Sequence, residues 1–177
     1  MIIQRLNLAT GLPFDLADLK THCRVDATYF DYEVQQLGRA AAAEIEAYAQ
    51  IALLTQTIRV TLDVWPCALS MPLPCAPMLD PLSVVVTADG EIFDAYTATA
   101  GLRPAIRLSD VKPSGEIVIT YVAGFGSEAN NIPPDLALAV LDQALASFEQ
   151  RGAVDNKTNG MSAHAARIAA RYRRVSL

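Results

Sequence analysis

Histidine is nearly absent from this chain: its 177 residues hold two, His22 and His164. Zinc sites and most side-chain acid–base catalysis draw on histidine first, and neither residue has a partner at a useful spacing. His22 is followed directly by Cys23, and neighbours on a helix point to different faces, so the two make neither a metal pair nor a nucleophile–base pair. Cysteine is scarce as well. Cys23, Cys67 and Cys75 are odd in number and lack metal spacing, which excludes a disulfide framework and points to reduced thiols. Gly124-Phe125-Gly126 follows a strand-like run but lacks the third glycine and the helix start of a dinucleotide turn, and there is no P-loop. Glu44 and Glu46 sit two apart on a helix and diverge, so they form no carboxylate pair. The expectation is a protein with no catalytic residues, no metal and no cofactor. Long hydrophobic runs are missing too. The most apolar stretches are broken by Asp, Gln or Pro before reaching the length of a membrane span, and the first residues lack the pattern of a signal peptide.

What is present is a folded, rather apolar chain. Hydrophobic residues make up 52% and charged residues 19%, which excludes intrinsic disorder. The length suits one domain with a tail, and the apolar fraction suggests surface that a partner covers. The net charge of −5 is unevenly spread. Residues 161–177 carry Arg167, Arg171, Arg173 and Arg174 and no acid, a total of +4, so the other 160 residues total −9. An acidic body lacks the clustered cations that displace counterions from duplex DNA. A basic arm on such a body suits an acidic partner surface or a phosphate.

Residues 26–50 form the longest segment with a helical period. Phe30, Val34, Leu37, Ala41, Ile45 and Tyr48 recur at steps of three and four, which puts them on one stripe of a helix; the plain reading is a core helix, the sharper one a core helix that also lines a subunit interface. Asp26 is placed to cap it, with Asp31 and Glu33 near the positive end of its dipole. The run of alanines at 40–43 makes one part of the helix thin enough for another backbone to approach. Before it, residues 1–14 read as an extended lead-in, and Asp15 opens a short helix whose Leu16, Leu19 and Cys23 share a face. After residue 54 the period changes to two. Ile58, Val60, Leu62 and Val64 alternate with Arg59, Thr61 and Asp63, the mark of a half-buried strand. The prolines at 72, 74 and 77 confine their segment to an edge or connector. Residues 83–87 read as a strand, Asp89-Gly90 as a hairpin turn, residues 94–104 as loop and 106–108 as a short strand. A further strand places Ile117, Ile119 and Tyr121 on one face. Pro133-Pro134 opens a helix that is apolar around most of its circumference, ends at Gly152 and should be buried on most sides. Ser162 caps a last helix.

Four of these pieces, in this order, resemble the head–tail connector (adaptor) proteins of long-tailed double-stranded DNA phages and of prophage-derived particles such as gene transfer agents. They are LPFDLADLKTHCRVD with the Ala-rich AAAAEIEAYAQIALLTQT, the Pro-bounded LPCAPMLDPLSVV, the turn of residues 121–126, and the Pro-opened helix ending in Phe148-Glu149-Gln150-Arg151. The similarity covers about residues 12–152. Cys75-Ala76 stands where the family often has a basic or small residue before Pro, and Phe148 where it usually has Tyr. The resemblance implies a structural protein forming a ring, usually a dodecamer, under the portal protein. That ring continues the DNA channel without reading sequence and offers a platform to a tail-side neck or stopper protein. It also implies a place at the head–tail interface of a virion or phage-like particle assembled in the bacterial cytoplasm.

The fold class expected is therefore α+β. Helices from the N- and C-terminal parts form the core, a small antiparallel β unit is inserted between them, and an extended basic C-terminal arm follows. Residues 1–155 are expected to be the connector domain and 156–177 the arm. In the arm, Arg167, Arg171, Arg173 and Arg174 would meet an acidic portal, with Ile168, Tyr172, Val175 and Leu177 as apolar anchors. Two readings from other classes compete: a small cytosolic enzyme or ligand-binding domain, and a nucleic-acid-binding module that uses the Arg-rich arm.

Overall fold

Strict alternation produces the strand around which the β part of the chain is built. In the computed structural model, which describes residues 1–7, 9–150 and 160–173, Ile58, Val60 and Leu62 all point into the core from strand β2 (Gln56–Leu62). The chain divides into two compact units, one made of residues 1–9 and 54–125, the other of residues 10–53 and 126–177.

Among its described residues the first unit holds eight strands: β1 (Ile2–Leu6), β2, β3 (Ser70–Pro72), β4 (Val85–Ala88), β5 (Glu91–Ile92), β6 (Tyr96–Thr99), β7 (Ala105–Leu108) and β8 (Ile117–Ala123). Five form an antiparallel sheet in the order β1-β2-β8-β4-β5, and three form a second in the order β3-β7-β6. The register of β2 on β8 sets Ile58 against Tyr121, Val60 against Ile119 and Leu62 against Ile117. Every one of these cross-strand pairs is buried, and such pairs are the unit of sheet stabilisation. Asp89 and Gly90 both have positive φ, 48° and 85°, as a two-residue primed turn between β4 and β5 requires. Pro72 lies in an edge strand, where its missing donor breaks no ladder.

Tyr121 is fully buried, and its hydroxyl is satisfied by one residue. Cys75 N–H donates to it at 2.9 Å, and it donates to the Cys75 carbonyl at 3.1 Å. Burial pushes its phenol well above the ordinary tyrosine value. Tyr121→Phe should therefore destabilise the protein by about 1–3 kcal/mol. The effect should appear as a lower denaturant midpoint at an unchanged slope; an unchanged midpoint would contradict it. Beyond β8 the chain turns at Gly124, whose φ is +136° and where a Cβ would come within 2.6 Å of the Leu54 carbonyl. Only glycine fits there.

Three expectations for this unit change. Residues 1–14 are not all lead-in, because Ile2–Leu6 pairs with β2 as a sheet edge. Residues 94–104 are not all loop, because Tyr96–Thr99 pairs with β7. Both short segments gain order from a partner strand, which local pattern does not reveal. The strand expected from residue 83 starts at Val85, after a 3-10 turn at Pro81–Ser83 in which Asp80 Oδ1 accepts from Leu82 N–H at 2.8 Å.

The second unit is helical, with α1 (Leu16–His22), α2 (Asp31–Ala49), α3 (Pro134–Gln150) and α4 (Ala163–Tyr172). Helix α2 packs on α1, α3 and α4, and α3 also packs on α1 and α4. Asp15 caps α1, accepting from Ala17 and Asp18 N–H at 2.7 and 3.1 Å. Asp26 does not cap α2. A 3-10 turn at Thr28–Phe30 intervenes, and α2 begins at Asp31 with Asp31 and Glu33 in its first turn. Nor is α3 buried on most sides. Leu136, Ala139, Val140 and Ala144 are buried, whereas Leu141, Leu145 and Phe148 are half-exposed and Leu138 is exposed. Arg151 and Gly152 lie outside the described residues.

Candidate docking site

The interior of the helical unit decides where the basic helix α4 sits. The buried stripe of α2 runs through Val34, Gly38, Ala41, Ala42, Ile45 and Ala49. Of the residues expected there, Val34, Ala41 and Ile45 are buried, Phe30 and Leu37 are half-buried, and Tyr48 is exposed. Gly38 is a point of close approach within the unit. A Cβ at this position would collide with the Phe14 ring and lie 2.7 Å from Leu19 Cδ2. A reading of apolar periodicity passes over a glycine, although here the glycine marks the contact.

Helix α4 is amphipathic. Ser162 Oγ accepts from Ala165 N–H at 3.1 Å and starts the helix. Ala165, Ile168 and Ala169 are buried, while Arg167, Arg171 and Arg173 are exposed. Arg174, Val175 and Leu177 lie outside the described residues. Two of the expected anchors are already engaged within the unit: Ile168 is buried, and Tyr172 Oη donates to Asp135 Oδ1 at 2.8 Å. Arg173 lies over the Tyr48 ring, 5.1 Å from its centroid, a cation–π contact. Gln143 links three elements. Its Nε2 donates to Glu44 Oε2 at 2.8 Å, and its Oε1 accepts from Ser162 N–H at 2.7 Å.

Nothing in their spacing connects the two histidines, yet both meet the same carboxylate. His22 Nε2 of α1 is 2.9 Å from Asp142 Oδ1, and His164 Nδ1 of α4 reaches Asp142 Oδ2. One α3 side chain thus ties α1 and α4 to α3. Among the described residues no group of three His, Cys, Asp or Glu could hold a metal ion. Beside this clasp, a cavity of about 650 Å³ is lined by Thr21, Cys23, Leu145 and Phe148 together with charged residues.

Tyr172 gives this arrangement a pH dependence. Burial first, and then the hydrogen bond to Asp135, push its phenol from 10.0 up to about 12. The neutral phenol stabilises the fold fully below pH 10. That contribution fades as the pH rises towards 12, because the unfolded chain ionises first. The margin in melting temperature of the parent over Tyr172→Phe should therefore shrink across that window. A margin that stays constant would contradict the assignment.

No family model matches the sequence, and no curated protein matches it. Solved structures do. A chain described as the neck of an empty GTA particle computed with C6 symmetry superposes with a TM-score of 0.81 and 24% identity, covering 100% of this chain and 97% of that one. This chain has the fold of a gene transfer agent neck chain. A chain from the neck of a native GTA particle computed with C12 symmetry gives a TM-score of 0.78 at 24% identity. One from the virion of a native gene transfer agent particle gives 0.82 at 22%, and both share the same coverage. The likeness spans both units of this chain, including the region of α4.

Proposed function

We propose that this protein is a structural head–tail connector: a ring-forming adaptor under the portal of a phage-like particle, which extends the DNA channel and seats tail components. The observation that carries this reading is the full-length similarity to chains in particle necks computed with C6 and C12 symmetry. A ring is a head-to-tail interface that closes on itself, so every copy presents two different complementary faces. The many exposed large apolar side chains, among them Tyr29, Leu82 and Ile92, suit such a role. The role is non-enzymatic. The ring is read as a dodecamer, the portal-facing element as α4 with residues 174–177, and the acidic body as a conduit wall that repels phosphates so that DNA slides. Particles made without this protein should accumulate heads and tails that fail to join, seen by negative-stain electron microscopy. Joined particles in normal number would overturn the reading.

A further inference from the structure

An antiparallel sheet with one face on a core normally turns polar side chains outward. The outer face of the five-stranded sheet departs from that rule. Its registers place Ile2, Thr61, Val118, Thr87 and Ile92 in one row across all five strands. Val85 lies in the next row, aligned with Thr120 and Arg59, and Val122 in the row after that, aligned with Thr57. These are β-branched side chains in the open: Ile2 is 62% exposed, Ile92 80%, Val85 49% and Val122 38%. Arg59 is the one charged residue among these rows.

We infer that this sheet face docks a second copy of the chain, as one of the two faces of the ring interface; the inference rests on the ring reading above. Three observations carry it. First, the face is broad and rich in β-branched side chains, the kind of patch a monomer seldom leaves in water. Secondly, its charge is complementary to the molecule that carries it. The face presents a lone cation, whereas the chain as a whole is at −5, so another copy brings carboxylates to Arg59. Pairing the face with itself about a two-fold axis would instead bring Arg59 towards Arg59. A head-to-tail contact avoids this, and head-to-tail contacts are what close a ring. Thirdly, the size is right for the centre of such a contact. Strands spaced about 4.8 Å apart and about 3.4 Å per residue along β8 give a footprint of roughly 400 Å². That is about half of the ~800 Å² each partner contributes to a standard interface, with the rim supplying the remainder.

The test compares the light-scattering mass of the parent, the double variant Val85→Lys/Val122→Lys and the single variant Arg59→Glu, each alone and with a portal protein. All three positions lie on the outer face, so the variants should melt at the parent temperature. A parent that forms a large closed oligomer, a double variant that stays monomeric, and an Arg59→Glu variant that needs at least about tenfold more protein to assemble would bear the inference out. If the double variant melts low, the Arg59→Glu result decides by itself. Variants that assemble like the parent would overturn the inference and leave the ring reading standing. A parent that stays monomeric even with the portal would overturn both.

Discussion

Replacing Arg167, Arg171 and Arg173 together by glutamate should reduce binding to the portal by roughly a thousandfold at low salt. Arg167 and Arg171 are exposed on α4 and Arg173 follows its last turn, over the Tyr48 ring; reversing each one against an acidic partner surface would cost about 1–1.5 kcal/mol. Those costs sum to a factor of about a thousand in affinity. The body should stay folded, because Ala165, Ile168 and Ala169 hold α4 from its other side. The triple substitution is a cleaner test than deleting residues 161–177, which would also remove Ile168 from the core and Ser162 from Gln143. Parent binding should weaken as salt rises while the residual binding of the variant should not. Equal affinity of the two proteins at low salt would remove α4 from the docking role.

Gly38→Val should be the most damaging single substitution in the helical unit. The added atoms would meet the ring of Phe14 and the side chain of Leu19, which are 5% and 0% exposed and would have to shift within a packed interior. Overpacking of this kind costs about 3 kcal/mol or more, a large part of the ~5–15 kcal/mol that holds an ordinary domain together. Gly38→Ala should be milder, because alanine gains about 1 kcal/mol of helix propensity that offsets part of the clash. Thermal melting should rank the parent above Gly38→Ala, and Gly38→Ala above Gly38→Val. A valine variant that melts with the parent would show that α1 does not press on α2 at this point.

How legible the chain was depended on the range of the interaction involved. Local pattern located β2, where alternation is strict, β8, whose Ile117, Ile119 and Tyr121 share a face, and the caps Asp15 and Ser162, where a side chain reaches its own helix. The α+β class and the packing together of helices from both ends of the sequence followed from the same periodicities. Partnerships over distance stayed hidden. β1 and β6 are short, and each needs a partner strand to become ordered. Gly38 carries no hydrophobic signal yet sits tightly against Phe14 and Leu19. Asp142 collects His22 and His164 from positions 120 and 22 residues away, and nothing in the sequence links the three. The anchors assigned to the arm were legible as apolar residues on a basic helix. That Ile168 and Tyr172 face their own unit depends on how α4 packs, which composition does not encode.

The central claim is that copies of this chain close into a ring that joins a portal. The measurement that tests it most directly is the solution mass of the purified protein, alone and mixed with a portal protein. A closed oligomer of about twelve copies, or a monomer that adds to the portal in that number, is the predicted result. A stable monomer that leaves the portal's mass unchanged would contradict it.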